Sequence, residues 1–142
     1  MSDCIFCKII QGEIPSAKVY EDENILAFLD ITQVTPGHTL VIPKKHVQDI
    51  YAYDDEIACL VAKKLPVIAR AIKETFPDCK GINILNNNEP TAYQSVFHTH
   101  WHIIPRYHAE DGLGIVFTDH SKDYSQEEFQ ERAQRINQQI KL

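Results

Sequence analysis

No run of about 18 apolar residues occurs anywhere in this 142-residue chain, so no segment is built to cross a bilayer as a helix. The first residues, Met1-Ser2-Asp3-Cys4, carry no basic stretch leading into an apolar one, and so give no secretory signal to read. Positive charge is scarce too: 14 Lys and Arg stand against 20 Asp and Glu, a formal net charge of −6. Gripping nucleic acid by counterion release needs clustered cations, so no polynucleotide partner and no membrane partner is expected. A small phosphorylated ligand needs only a few local donors and stays open. Internal repeats, low-complexity tracts and interdomain linkers are also absent. These lacks leave one domain over residues 1–142, long enough to bury a core, with the 44% apolar content of an ordinary globular protein. The expected compartment is the cytoplasm, where cysteines are more often free or metal-bound than bridged.

Periodicity supplies the elements. A helical turn over Lys8–Gln11 ends at Gly12, and Ala17–Glu21 with Asn24–Leu29 reads as a hairpin. Val34-Thr35-Pro36-Gly37 carries a turn signal, with Pro and Gly suited to the central positions of a type II turn. It launches a third strand over His38–Pro43. Asp54 or Asp55 is placed to cap a long helix whose buried stripe is Ile57, Leu60, Val61, Leu65, Ile68, Ala69 and Ile72, with a kink expected at Pro66. Ile82–Asn86 and His98–Arg106 read as the fourth and fifth strands. Ser125-Gln126-Glu127-Glu128 fits a capping box for a polar C-terminal helix, whose anchors Phe129, Ala133, Ile136 and Ile140 would pack as a narrow stripe. The fold class is therefore α+β: an antiparallel five-stranded sheet, one long helix over one face, and short helices at both ends.

Chemistry concentrates in two places. Three of the seven histidines alternate in His98-Thr99-His100-Trp101-His102-Ile103-Ile104-Pro105. On a strand they share one face, about 7 Å from each to the next. Such a row could bind one catalytic metal, provide an imidazole nucleophile with electrostatic support, or consist of core histidines satisfied by backbone groups. Burying three rings without a task weighs against the last reading. Separately, Cys4-Ile5-Phe6-Cys7 has the spacing of half a zinc site, for which His46 and His98 are candidate partners. A redox pair and two unligated thiols are the alternatives, although no βαβ setting supports the redox reading. The polar loop 87–95 runs straight into the histidines and is placed to touch a ligand.

These residues resemble the histidine triad family of nucleotide hydrolases and transferases, in its Hint-type branch. The likeness rests on His98-x-His100-x-His102-Ile103-Ile104, Cys4-Ile5-Phe6-Cys7, Phe28-Leu29-Asp30-Ile31, Gly37-His38-Thr39-Leu40-Val41-Ile42-Pro43-Lys44-Lys45-His46 and Gln94-Ser95-Val96-Phe97-His98. It covers about residues 4–107 and leaves 108–142 as a C-terminal extension with a helix. The resemblance implies cleavage at the α-phosphorus of purine nucleoside monophosphate conjugates (phosphoramidates, esters or anhydrides), with His100 as nucleophile and a covalent nucleotidyl-imidazole. It makes His102 a donor to the phosphate oxygens, Gln94 and Ser95 holders of the phosphate or leaving group, and His38 their support. Asp30 is implied as a ribose-binding acid, Phe28 and Ile31 as neighbours of the base, and Asn87 as a ribose- or phosphate-side contact. It also implies a structural Zn2+ on Cys4, Cys7, His46 and His98, and a homodimer whose sheet continues across the two-fold axis. Two other readings remain: a nucleotide-binding scaffold with little catalysis, and a zinc hydrolase with its metal on all three histidines. Tyr93 departs from the small residue or glycine usual before the Gln-Ser pair, and either reshapes the leaving-group side or turns to solvent.

Overall fold

Strand alternation divides the central sheet into two chemically different faces. The computed structural model describes residues 3–142; Met1 and Ser2, part of the N-terminal stretch read above for a signal, lie outside the described residues. In chain order the elements are α1 (Ile5–Ile10), β1 (Lys18–Glu21), β2 (Ile25–Leu29), β3 (Thr39–Pro43), α2 (Asp55–Thr75), β4 (Gly81–Asn86), β5 (Trp101–Arg106) and α3 (Gln126–Gln139). The strands form one antiparallel sheet in the order β1-β2-β3-β5-β4. Odd-numbered apolar residues (Ile25, Ala27, Val41, Ile103) pack against Ile57, Val61, Ile68 and Ile72 of α2. The even-numbered set on the opposite face (Leu26, Phe28, Leu40, Ile42) packs against Phe6 and Ile9 of α1. A period of two on strands buried on both sides gives this split directly.

The long helix begins where its cap dictates: the Asp54 carboxylate accepts the Ile57 amide at 2.9 Å. Pro66 lies inside one continuous 21-residue helix, where its missing N–H leaves the Ala62 carbonyl without its usual donor. Before β3, the His38 amide donates to the Thr35 carbonyl at 3.1 Å, closing a turn around Pro36 and Gly37. Gly37 has φ +97°, and a Cβ there would come within 2.7 Å of the Phe76 ring, so the turn admits glycine alone.

Two expectations are corrected. The fifth strand starts at Trp101, so His98 and His100 precede the ladder. Its pairing with β3 stops at Val41–Trp101, close to the strand-ending Pro43. Beyond that point the Thr99 amide donates to the Val47 carbonyl and the Asn86 side chain donates to the His100 carbonyl at 3.0 Å. The C-terminal helix starts as its capping box requires, with Ser125 Oγ accepting the Glu128 amide at 3.2 Å. Yet no residue of α3 is buried: Phe129 meets the Tyr124 ring edge to face at 6.2 Å, while Ile136 and Ile140 are exposed. Arg106 ends the ordered packing by reaching Asn83, Asp111 and the Leu113 carbonyl; every residue from 114 to 142 is exposed.

Candidate active site and metal cluster

The α1-side face of the sheet holds a cavity of about 570 Å³. Phe28, Leu40 and His102 lie side by side across β2, β3 and β5, because Phe28 pairs with Leu40 and Leu40 with His102. Asp30, Ile31, Ser95, Val96 and His100 complete that side, while Ile5, Phe6, Ile9 and Ile14 form the opposing wall. A mostly apolar slot with a few convergent polar groups is the usual form of a small-ligand site.

Hydrogen bonds fix the proton on each imidazole, since a carbonyl can only accept and a backbone N–H can only donate. His98 donates Nε2–H to the Pro43 carbonyl at 2.8 Å, which leaves its Nδ1 lone pair facing Cys4 Sγ at 3.5 Å and Cys7 Sγ at 3.6 Å. His100 donates Nδ1–H to the His98 carbonyl at 2.8 Å, so its Nε2 carries the free lone pair. His38 accepts the Val34 amide at Nδ1, 3.2 Å away, and therefore donates Nε2–H to His102 Nδ1 at 2.9 Å. His102 is left with Nε2–H as a donor. One neighbouring ring thus offers an acceptor and the next a donor, with centroids 5.2 Å apart. The same pattern overturns the reading in which one metal sits on all three histidines: both nitrogens of His98 are directed elsewhere, and His102 Nδ1 is held by His38.

The electrostatics keep these rings neutral. Burial lowers the pKa of His100, against the bond from its Nδ1 to the His98 carbonyl and the Asp30 charge. Burial and the adjacent His100 and His38 rings bring His102 down to about 4, opposed by Asp30. His38 is lowered by burial, again against Asp30. Burial works against ionisation of Asp30, but the Thr32 hydroxyl and amide, with His38 and His102, hold its carboxyl below the ordinary value.

The sign of the His102 shift gives a prediction. The unfolded chain takes up this proton below about pH 6.5 and the folded chain only near 4, so stability is full above 6.5 and is lost as pH falls toward 4. Between pH 7.5 and 5.5 the loss from this ring is roughly 1 kcal/mol. Urea unfolding of wild type and His102→Gln at both pH values should show the variant losing less by that amount; equal losses would mean that the ring is not held neutral.

Cys4, Cys7, His46 and His98 bring four ligand atoms within 4.8 Å of one another. Cys7 Sγ lies 3.3 Å from His46 Nδ1, and the two contacts to His98 are 3.5 and 3.6 Å. Tetrahedral bonds of zinc length to sulfur and nitrogen place those atoms about 3.6 Å apart. Two thiols and two imidazoles presenting unprotonated or ionisable donors at that spacing fit a closed zinc site.

The remaining expected residues divide. Gln94 is buried, but its amide serves the backbone: the oxygen accepts the Glu89 amide at 2.8 Å, and the nitrogen donates to the Gln48 and Val96 carbonyls. Its side chain therefore braces the loop, and the next residue, Ser95, lies on the cavity. Asn87 does not line the cavity. Its neighbours are the engaged pair, Asn86 holding the His100 carbonyl and Asn88 holding the Asn86 side chain at 2.7 Å. Tyr93 turns outward, 86% exposed, with φ +71°. Thr99, the least apolar spacer of the histidine run, has a partner on the α2 face: its hydroxyl lies 2.7 Å from the Tyr53 hydroxyl, which also accepts the Trp101 indole N–H at 2.9 Å. The α1 wall went unread because its side chains are placed by tertiary packing; the apolar residues within and after Cys4-x-x-Cys7 were the available signal.

Comparison with known proteins agrees with this geometry. The sequence matches the HIT domain over residues 11–109. It is 54% identical to a member of the HIT family from Bacillus subtilis whose crystal structure superposes with a TM-score of 0.95, covering 99% of both chains. It is 41% identical to an adenosine 5'-monophosphoramidase of Schizosaccharomyces pombe, over 97% of this chain and 98% of that one. A zinc-bound histidine triad family protein of Mycobacterium smegmatis is 39% identical, with a TM-score of 0.74 and coverage of 85% of this chain and 87% of that one.

Proposed function

We propose, from the premise that the chain belongs to the HIT domain family, that it cleaves purine nucleoside monophosphate conjugates at the α-phosphorus, phosphoramidates foremost. The observation that carries this reading is the tautomer of His100: a neutral imidazole on the cavity, its Nδ1–H held by the His98 carbonyl and its Nε2 lone pair free. Nε2 attacks phosphorus, the bond to the leaving amine breaks, and a nucleotidyl-imidazole forms; water then releases the nucleoside monophosphate. Splitting one displacement into two is covalent catalysis. His102 donates its Nε2–H to the phosphoryl oxygens as charge gathers on them. Asp30 accepts from the sugar hydroxyls, Phe28 and Ile31 flank the base, and Ser95 takes the phosphate from the rim. The phosphoramidase among the relatives supports the substrate class. Adenosine phosphoramidate is the test compound: it should release AMP, and a reaction quenched in alkaline denaturant should contain chain heavier by one AMP. Absence of turnover on this compound overturns the reading.

The four-ligand cluster is read as a structural zinc site, supported by the zinc-bound relative. Zinc there ties the N-terminus to the segment before β5, and four protein ligands leave no position for an activated water.

The chain is read as one domain that works as a homodimer. Support comes from two exposed features: the edge strand β4 with Ile84, and the segment 114–142 with Phe117, Ile136 and Ile140. A helix of 14 residues without a packed face is marginal in water, so α3 needs a surface outside its own chain. Sedimentation should give twice the chain mass, and a chain ending at residue 113 should dissociate more readily; a monomeric full chain counts against the dimer.

A further inference from the structure

We propose that Phe6 is a positioning residue that couples the Cys4/Cys7/His46/His98 cluster to the nucleotide site, so that an ion on the cluster tightens nucleotide binding and aligns His100. The proposal rests on the nucleotidyl-transfer reading above and concerns how that site is held in shape.

Phe6 sits between the two cysteines in sequence and is buried. Its ring meets three others edge to face: His100 at 5.1 Å and 86°, Phe28 at 5.5 Å and 73°, and His98 at 5.9 Å and 74°. One side chain therefore touches the candidate nucleophile, the nucleoside wall and a candidate metal ligand. Edge-to-face contacts at such separations are sensitive to ring placement.

What places the ring is α1, and α1 has little of its own to hold it. Six residues make fewer than two turns, far short of a helix that is stable alone. Its anchors are Phe6 and Ile9 in the core, together with the two thiols. A thiol facing an imidazole nitrogen is a weak hydrogen bond, whereas two thiolates on one ion are fixed in direction and distance. Ile5, Phe6 and Ile9 also line the cavity, so a shift of α1 changes the nucleoside wall directly.

A second route from the cluster reaches the same imidazole. His98 faces the sulfurs through Nδ1, and its carbonyl holds the Nδ1–H of His100. The ion would thus bear on His100 from two sides, through the Phe6 ring and through the His98 backbone. A thermodynamic cycle separates them.

AMP affinity is measured by calorimetry on four forms of the full-length protein: wild type and Phe6→Leu, each zinc-loaded and chelator-stripped. Stripping should weaken AMP binding by wild type about tenfold, the size of one to two lost aromatic contacts. Phe6→Leu should weaken the loaded protein similarly, and stripping that variant should add less than about threefold, the non-additivity expected of coupled positions. On adenosine phosphoramidate, Phe6→Leu should lower kcat by a larger factor than it raises KM, and Phe6→Tyr should recover most of the loss. Ile68→Val, in the core on the α2 side, should lower Tm while leaving the AMP Kd and kcat unchanged. Should the stripped chain not fold, zinc- and cadmium-loaded proteins replace the two arms, because the larger ion lengthens both thiolate bonds. Equal effects of the metal change in wild type and Phe6→Leu overturn the coupling, as does an unchanged AMP Kd on stripping. Failure of wild type to retain one metal per chain overturns it too. If the loaded wild type binds no AMP, the nucleotide reading itself has failed; if it binds AMP and turnover needs His100 while the cycle is additive, only the coupling has failed.

Discussion

His100→Asn is expected to lower kcat on adenosine phosphoramidate by at least about 10⁴-fold, the scale on which enzymes lose turnover when a nucleophile is removed. Asparagine can still donate to the His98 carbonyl, so the local hydrogen bond survives and the loss falls on the missing Nε2 lone pair. The apolar walls, Asp30 and the His102 donor are untouched, and AMP should bind within about tenfold of wild type because ground-state contacts are retained. No nucleotidyl adduct should appear after alkaline quench, where the wild-type P–N bond survives. His102→Gln makes the useful contrast. It removes a donor to developing charge but keeps the nucleophile, and a loss of about 10²–10³ is typical of one such donor. The two variants should therefore differ in kind, one without adduct and one with slow adduct formation. Turnover by His100→Asn within tenfold of wild type would remove His100 from the chemistry.

How much of this site was legible beforehand depends on what each residue answers to. Strand alternation answers to local geometry, and it correctly put His100 and His102 on one face and Thr99, Trp101 and Ile103 on the other. The five strands, the Asp54 cap, the Ser125 cap and the turn at Pro36-Gly37 follow from short-range rules and were read to within a few residues. The grouping of Cys4, Cys7, His46 and His98 joins residues 94 positions apart; Cys-x-x-Cys spacing makes His46 and His98 candidate partners, and resemblance to a family turns them into one ligand set. The errors fall where tertiary partners decide. The fifth strand is shorter than its residue types suggest, because residue type cannot say where a neighbouring strand ends. Asn86 and Asn88 look like Asn87 in sequence, yet they brace the chain, Asn86 holding the His100 carbonyl and Asn88 the Asn86 side chain. That the Gln94 amide is shared among three backbone groups could not be read from residue type. The apolar stripe of α3 predicts burial without saying against which molecule.

Stripping the metal cluster is expected to have the largest effect on stability. The N-terminal segment reaches the body of the protein through the Phe6–Ile9 packing and through the two thiols, and the cluster links three places distant in sequence: α1, the turn after β3 at His46, and His98. Ion binding to preformed ligands is folding free energy. Because the α2-side core remains intact without it, the loss here is expected to be several kcal/mol, less than the whole of a zinc-finger site. For a chain of this length that corresponds to a fall in Tm of about 10–20 °C. Cys4→Ala, Cys7→Ala and His46→Ala should each lose the metal and show the same fall without chelator. Cys59→Ala, exposed on α2, and Cys79→Ala, whose thiol donates to the Gly81 carbonyl, should keep one metal per chain. Elemental analysis paired with calorimetric unfolding reads both quantities on the same samples. A Cys4→Ala protein that still carries its metal, or a chelated wild type with an unchanged Tm, would mean that these four residues meet for packing alone, and the fixed placement of His98 would then rest on its bond to the Pro43 carbonyl.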